Sequence, residues 1–210
     1  AFLVVIAITV AALSAWLVLV VRLPPEGTIR EVLFNIVSVI TGTGFTSTDY
    51  NLWGPLAMTV FFVIGLVGGC SGSTVCSVKI FRYQLLLSAI SAQVKQLHSP
   101  SRIFNVRYEG RPVEADVMDS VIAFFMLFYL TLAISALLLV LVGLEPITAI
   151  TGAATALANI GPGLGPEIGP VGNFAGLPAA AKWVLTVTML LGRLEIMSVL
   201  VLFTAGFWRD

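Results

Sequence analysis

The sequence has 210 residues, of which 58% are hydrophobic and only 10% are charged, and its formal net charge is zero. A soluble domain usually carries about 25% charged residues, so this chain has too few charges to cover a surface exposed to water. The same composition excludes an intrinsically disordered chain. Zero net charge argues against a nucleic-acid-binding protein, and two cysteines form no disulfide framework. The composition therefore predicts a multi-pass protein of the lipid bilayer.

Long apolar segments alternate with shorter ones along the chain. Charge-free runs cover residues 1–21, 54–78 and 120–144, and a fourth run, 183–208, is interrupted only by Arg193 and Glu195. About 20 residues suffice to cross a bilayer. The shorter apolar segments, 32–45 and 147–165, end in glycines and are typical of re-entrant segments, whose irregular backbone must line a cavity or be buried in protein. Because the chain starts on an apolar residue without Met, we expect it to begin inside a longer protein.

The order long, short, long occurs twice, which indicates an internal repeat. Gly44 corresponds to Gly161 when the two copies are superposed. We therefore predict an all-α membrane protein built from two tandem helix–pore loop–helix units, residues 1–98 and 116–210, joined by a polar linker at 99–115. Six of the eleven basic residues lie in 79–119, so the positive-inside rule places this segment in the cytoplasm. The two short segments then enter the membrane from the outer face.

Each short segment has the features of a pore helix that ends inside the membrane. The sequence Thr-Ile-Arg-Glu at 28–31 is a capping box, which predicts a helix that starts at Thr28. Pro146 suits the first position of a second helix. From Ile29 to Thr41 such a helix would be about 20 Å long, enough to reach the middle of the bilayer. Its inner C-terminus carries a partial negative charge that favours a cation.

Glycine-rich backbone follows both predicted pore helices, at Thr41–Phe45 (the first loop) and Asn159–Gly163 (the second loop). A selectivity filter needs a row of carbonyl oxygens that replace the hydration shell of an ion. Glycine adopts the required extended or left-handed backbone at low cost. Two copies in equivalent places favour a filter centred on Gly44 and Gly161. The alternative is a pair of membrane-buried turns without an ion.

The apolar stretch from Gly54 to Lys95 is too long for one membrane helix, since it would measure about 63 Å against a hydrocarbon core of about 30 Å. Four glycines interrupt it, at positions 65, 68, 69 and 72. They predict a break near Gly68 and an intramembrane loop over 68–75 (the glycine-rich segment) that closes the pore as a gate. The alternative is close helix packing through small residues. Cys70 and Cys76 are expected to be small packing residues rather than a disulfide or metal pair.

Arg193 is the anomaly of the last apolar run, since an arginine facing lipid at mid-membrane costs about 2.5–3.5 kcal/mol or more. It should therefore face the protein interior. Glu195 is two residues away, on another side of a helix, and is a poor partner. The candidate acceptors are carbonyls of the glycine-rich segment or an acidic residue elsewhere. Arg193 is interpreted as part of the gate, with a structural anchor between helices as the alternative.

The motifs together resemble a known family. The first loop contains Gly-Phe, the second reads N-x-G-P-G-x-G, and residues 68–82, GGCSGSTVCSVKIFR, are similar to G-G-x-x-G-S-T followed by K-I-x-R. This pattern resembles the Trk/Ktr/HKT superfamily of potassium transporters, and within it the third and fourth pore units of bacterial TrkH-type pore subunits. The resemblance implies a pseudo-fourfold pore like that of a potassium channel.

The resemblance also implies residue roles. The filter would bind potassium at Gly44 and Gly161, with the flanking carbonyls of Thr43, Asn159 and Ile160 as further ligands. The gate would consist of Gly68, Gly69, Cys70, Ser71, Gly72 and Ser73, with Arg193 beside them. Gly42 and Pro162 depart from the T-V-G-Y-G filter of potassium channels, which predicts fewer defined ion sites. Serine in place of a filter glycine is associated with sodium transport in this superfamily, so two glycines favour potassium.

The resemblance implies potassium uptake across the bacterial inner (cytoplasmic) membrane, with potassium as the bound ion and no organic cofactor. The implied partners are the two remaining pore units, a second full pore in a homodimer, and a cytoplasmic nucleotide-binding regulatory subunit, with no nucleic acid. Sodium or non-selective cation transport and a non-conducting scaffold remain alternatives. A membrane enzyme is disfavoured, because no histidine or lysine lies at membrane depth near Ser71 and Ser73 to activate them. An inverted-repeat carrier is disfavoured because both repeats run in the same direction.

Overall fold

The computed structural model describes residues 2–70, 72–98, 107–108, 110–194, 196–202 and 208. Within these residues the chain is mostly helical. The α-helices are α1 (Phe2–Trp16), α2 (Pro25–Ile40), α3 (Pro55–Leu66), α4 (Ile80–His98), α5 (Ala115–Leu141), α6 (Pro146–Ala158), α7 (Ala179–Arg193) and α8 (Ile196–Leu202). Four two-residue strands are also present: β1 (Val67–Gly68), β2 (Val78–Lys79), β3 (Arg107–Tyr108) and β4 (Arg111–Pro112).

Two helical segments of the described chain are long and apolar enough to cross a membrane, Phe2–Val21 and Asp116–Leu141. The first is α1 continued by a π-helical turn, which ends where Arg22 adopts a left-handed conformation with φ 62°. The last apolar run, 183–208, is not the single helix that its composition suggested. Helix α7 ends at Arg193, one residue after Gly192, and α8 starts at Ile196. Glycine weakens a helix by about 1 kcal/mol relative to alanine.

The start of α2 corrects one prediction. The helix begins at Pro25, three residues before the expected start at Thr28. Proline fits the first helical position because it has no N–H to satisfy there. The hydroxyl of Thr28 does not cap the helix but donates to the carbonyl of Pro24 at 2.7 Å, inside the first turn. The start of α6 at Pro146 agrees with the prediction.

The predicted break between Gly54 and Lys95 is confirmed, because α3 ends at Leu66 and α4 begins at Ile80. The chain between them folds back on itself. Strands β1 and β2 pair in parallel there, Val67 with Val78 and Gly68 with Lys79. These strands were not predicted from the sequence. They satisfy backbone groups that an open loop in an apolar environment would leave unpaired.

The helices pack around three hydrophobic cores, of which the third contains residues of α4, α5 and α8. Buried residues of α1, α2 and α3 form one core, and Ala158, Ile160 and Leu164 from the end of α6 and the following loop extend it. Helices α5, α6 and α7 form a second core. Tyr50 stacks on Phe61 with ring centroids 4.0 Å apart in the first core. The loop after α6 therefore packs into the helices of the first half of the chain.

Helix α7 packs on the end of α6 through Gly192. A Cβ atom at this position would collide with the carbonyl oxygen of Leu157 and would lie 2.9 Å from Nδ2 of Asn159. We expect Gly192→Ala to lower the free energy of unfolding by about 1–3 kcal/mol, a typical cost of overpacking. The thermal midpoint of the purified protein in detergent measures this effect.

Gly27→Ala is the matched control, because Gly27 is also in a helix and has no atom within 4 Å of its ideal Cβ. It should leave the midpoint unchanged or raise it slightly, since alanine favours helix. Equal midpoints for the two variants would contradict the close packing of α7 on α6.

Candidate functional site

The first loop leaves α2 through two glycines in left-handed backbone. Gly42 and Gly44 have φ values of 66° and 79°. The backbone N–H groups of Thr43 and Gly44 both point back to the carbonyl of Ser38, at 2.9 and 3.4 Å. This conformation costs an L-residue about 1–2 kcal/mol, so the sequence Gly-Thr-Gly places the two tolerant residues where the turn needs them.

The second loop leaves α6 through a left-handed asparagine. Asn159 has φ 53° and Gly161 has φ 116°. The amide of Asn159 donates to the carbonyl of Met189 on α7 at 3.1 Å. The N–H of Gly161 donates to the hydroxyl of Thr155 at 3.0 Å. The second loop is therefore tied both to its own helix and to α7.

The two loops meet backbone to backbone. A Cβ atom on Gly44 would collide with the carbonyl oxygen of Ile160, and the ideal Cβ of Gly161 lies 3.8 Å from Cα of Gly44. Thr43, Asn159, Ile160 and Gly161 line one open cavity of ≈ 500 Å³. The five residues predicted to form the filter are thus brought to one place. The contact leaves no space for a side chain at Gly44.

The electrostatics at this place are those of helix ends and backbone dipoles. Helices α2 and α6 both end at the loops, and each C-terminus carries about half a negative charge. Among the described residues, no group of three His, Cys, Asp or Glu side chains could hold a metal ion. Lys182 also lines the cavity, a cation that sequence analysis did not place there. Its ammonium group donates to the carbonyl of Ala175 at 2.7 Å.

The glycine-rich segment lies against the first loop. The ideal Cβ of Gly42 is 3.7 Å from Cγ1 of Val75, so the end of this segment reaches the turn that opens the first loop. Its base is closed by the β1–β2 pair and by the hydroxyl of Ser77, which donates to the carbonyl of Gly65 at 2.9 Å. A Cβ on Gly68 would be 2.8 Å from the carbonyl oxygen of Ser77. Glycine is therefore required where the two chain segments cross.

The other residues predicted for the gate occupy different positions in this segment. Gly69 is buried, with its ideal Cβ 2.9 Å from Oγ of Ser73, whereas Gly72 has φ 85° and open space around it. Ser71 lies outside the described residues. Cys70 and Cys76 are free thiols. Cys70 is exposed, whereas Cys76 is partly buried.

Arg193 joins the end of α7 to the glycine-rich segment. Its Nη1 donates to the carbonyl of Thr74 at 3.2 Å and lies 3.5 Å from Sγ of Cys76. The carbonyl of Thr74 is one of the acceptors that the sequence analysis named. Arg193, Lys79 and Arg82 line one cavity of ≈ 140 Å³. Arg193 is exposed on this chain, so it borders open space rather than the core.

Sequence analysis missed the buried polar side chains that hold the loops from behind. Asn35 on α2 and Thr151 on α6 are 0% and 7% exposed. Each is a hydrogen-bonding residue on an otherwise apolar face of a short helix. That pattern was available in the sequence, but the partner of each residue lies beyond its loop.

Comparison with known proteins identifies the architecture. The family described as "TrkH: Cation transport protein" matches residues 1–209 of the chain. The Trk system potassium uptake protein TrkI of Halomonas elongata is 51% identical over 187 residues, which cover 89% of this chain and 38% of that protein. The Trk system potassium uptake protein TrkH of Salmonella typhimurium is 34% identical, with 87% of this chain and 37% of that protein covered. The chain therefore spans less than two fifths of the length of these curated relatives.

A solved structure has the same fold. The crystal structure of the potassium transporter TrkH from Vibrio parahaemolyticus matches with a TM-score of 0.90 at 30% sequence identity. The match covers 99% of this chain and 44% of that one. It confirms the predicted fold class, an all-α membrane architecture of helix–pore loop–helix units. The family description names transport and no chemical reaction, in agreement with the prediction that the chain is not an enzyme.

The contact between Arg193 and Cys76 predicts a change in thiol reactivity. In a Cys70→Ser background, Arg193→Ala should lower the rate at which Cys76 reacts with a small neutral maleimide severalfold, because a guanidinium that donates to Sγ favours the thiolate, which is the reactive form of the thiol. Mass spectrometry of timed samples of the purified protein measures the rate. Lys95→Ala removes an exposed cation from α4 and is the matched control. An equal rate in the parent, the control and Arg193→Ala would contradict the contact.

Proposed function

The chain belongs to the TrkH family of cation transport proteins, and from this membership we propose that it supplies two of the four units of a potassium uptake pore. The units are residues 1–98 and 116–210, joined by the linker 99–115. One observation carries the proposal: two glycine loops, each after a helix too short to cross a membrane, meet at Gly44 and Ile160. That arrangement presents backbone carbonyls to an ion path.

The ion ligands in this proposal are backbone carbonyl oxygens of Thr43, Gly44, Asn159, Ile160 and Gly161. Potassium is the transported ion. Carbonyls in a row replace its hydration shell at low cost. The C-termini of α2 and α6 add a negative potential at the same place. The membrane potential, worth about 2.3 kcal/mol per charge per 100 mV, drives the ion inward.

Potassium rather than sodium is proposed because both loops carry glycine at the central position. A serine at Gly44 would have to fit where even a Cβ collides with the carbonyl of Ile160. The loop would then move, and the carbonyl oxygens would no longer keep their spacing. The printed names of the relatives, potassium uptake proteins, support the same choice.

The glycine-rich segment is proposed as the gate. It approaches the first loop through Val75 and is fastened at its base by β1 and β2. Arg193 holds it through the carbonyl of Thr74. A fixed positive charge beside the path opposes a cation, since two unit charges 4 Å apart repel by about 4 kcal/mol at a dielectric constant of about 20. Opening would then require the segment to move relative to α7, which breaks or shifts the contact of Arg193 with Thr74.

The assembly around this chain follows from its size. Two units cannot enclose a fourfold pore, so the two remaining pore units must come from the same longer chain or from a second one. We propose the bacterial inner membrane as the location, two full pores as the oligomer, and a cytoplasmic nucleotide-binding subunit as the regulator. The basic residues of 79–119 support a cytoplasmic position for the surface at which that subunit would dock.

Ion flux tests the filter. With all four pore units assembled in proteoliposomes, the parent protein should carry potassium in preference to sodium. Gly44→Ser should lower the ratio of potassium to sodium flux about tenfold, which corresponds to about 1.4 kcal/mol of discrimination. Isotope or dye-based uptake of each ion measures the ratio.

Gly27→Ser, in the first turn of α2, is the control, because nothing lies within 4 Å of the ideal Cβ of Gly27. It should keep the parent ratio. No alkali-cation flux from the assembled parent protein would sink the proposed function. Preserved selectivity in Gly44→Ser would remove Gly44 from the filter.

The gate makes a separate prediction. Arg193→Ala should raise potassium flux severalfold under the condition in which the parent protein is closed, since both the contact with Thr74 and the opposing charge are lost. Lys95→Ala, a neutralised cation on the exposed face of α4, should leave the closed flux unchanged. Unchanged or reduced flux in Arg193→Ala, at normal expression, would count against a role of Arg193 in closing the pore.

A further inference from the structure

A buried amide on α2 holds the far side of the first loop. Asn35 is 0% exposed. Its Oδ1 accepts a hydrogen bond from the backbone N–H of Ser47 at 3.1 Å, and its Nδ2 donates to Oγ of Ser47 at 2.8 Å. A further bond from Nδ2 to the carbonyl of Glu31, at 2.8 Å, fixes the amide to its own helix. Asn35 thus connects the middle of the pore helix to a residue three positions beyond Gly44.

A buried hydroxyl on α6 does the same for the second loop. Thr151 is 7% exposed. Its Oγ1 accepts a hydrogen bond from the backbone N–H of Leu164 at 3.2 Å and lies 2.8 Å from the carbonyl of Ile147. Leu164 stands three positions beyond Gly161. Helices α2 and α6 therefore hold the chain at equivalent positions beyond the two loops, α2 through an amide and α6 through a hydroxyl.

Each loop is consequently held at both ends. At its near end, the N–H of Thr43 is bonded to the carbonyl of Ser38 and the N–H of Gly161 to the hydroxyl of Thr155. At the far ends, Asn35 and Thr151 make the bonds described above. A backbone segment fastened at two points to a rigid helix keeps its carbonyl oxygens at a fixed spacing. A segment fastened at one point can relax around a smaller ion.

We propose that Asn35 and Thr151 are positioning residues that set the ion selectivity of the pore without touching the ion. This proposal rests on the proposed function of the two loops as a filter. Asn35 acts through the backbone N–H and the hydroxyl of Ser47, just after the first loop, and Thr151 acts through the backbone N–H of Leu164, just after the second loop. Loss of either bond leaves the ion path open but lets the loop adjust, so discrimination falls while transport continues.

The sharpest test is a hydroxyl deletion at constant shape, made in the assembled transporter with all four pore units. Thr151→Val should lower the ratio of potassium to sodium flux about fivefold, which corresponds to about 1 kcal/mol of discrimination, and should keep total cation flux. Thr151→Ser retains the hydroxyl and should keep the ratio within about twofold of the parent. Rescue by serine separates the hydrogen bond from the packing of the methyl group.

Thr28→Val is the matched control, because Thr28 is also a buried threonine on a pore helix, and its hydroxyl bonds only to Pro24 of the preceding turn. It should keep the parent ratio. The assignment of Thr151 would be overturned if Thr151→Val had the same ratio of potassium to sodium flux as the parent protein. It would also be overturned if Thr28→Val lowered this ratio as much as Thr151→Val does. A parent protein that carries no potassium would instead defeat the proposed function, before any variant is compared.

Ser47→Ala extends the test to the first loop with a substitution that the fold should tolerate, since Ser47 is exposed. It removes the acceptor of the bond from Nδ2 of Asn35 and leaves the bond to the backbone N–H in place. We expect a smaller fall in the flux ratio, about twofold. Should Thr151→Val fail to fold, Ser47→Ala decides the proposal alone. An unchanged ratio in Ser47→Ala would overturn it, and a lowered ratio at normal thermal stability would support it.

Discussion

The close approach of two backbones at Gly44 and Ile160 constrains most of this molecule. No side chain can stand between the loops there, because even a Cβ on Gly44 meets the carbonyl of Ile160. At this contact the two loops face each other with main-chain atoms rather than with side chains. The short lengths of α2 and α6 follow from the same contact, since both helices must end where the loops begin. The polar side chains that hydrogen-bond to the chain beyond the loops, Asn35 and Thr151, therefore lie behind the loops on α2 and α6.

The break in the apolar stretch between Gly54 and Lys95 is a second consequence of this close approach of the two loops. Helix α3 passes behind the second loop, with the ideal Cβ of Gly65 only 3.0 Å from Cδ1 of Ile160. The chain then leaves the helix and approaches the first loop through Val75. Leaving a helix in an apolar environment exposes backbone groups that water cannot satisfy. The β1–β2 pair and the hydroxyl of Ser77, bonded to the carbonyl of Gly65, supply the missing partners. The segment is thus firmly held at its base, while its far end is held by the contacts of Arg193.

Much of this arrangement could be predicted from the sequence because it depends on local rules. Four glycines within eight positions, 65–72, weaken a helix enough to break it, and Pro146 starts one. The predicted start of α2 was wrong because two local signals competed. The helix starts at Pro25 rather than at the capping box at Thr28. Local rules could not predict the β1–β2 pair or the hydrogen bonds of Asn35 and Thr151, because tertiary packing determines the partners of these groups. Lys182 was missed for the same reason, since α7 brings it to the loops from a distant part of the sequence.

Two cations, Lys182 and Arg193, differ in the chain segments to which they are hydrogen-bonded. Lys182 lies in the first turn of α7 and is bonded to the carbonyl of Ala175, only seven residues earlier in the same chain segment. Arg193 stands at the other end of α7 and is bonded to Thr74, in a segment that is more than a hundred residues away in sequence. The local contact of Lys182 can persist in the gating movement that we propose, because Ala175 and the first turn of α7 are close neighbours along the chain. The contact of Arg193 cannot, since it joins two separately anchored elements, α7 and the glycine-rich segment. A conformational change between these elements must therefore break or shift this contact, and this places the proposed gate at Arg193 rather than at Lys182.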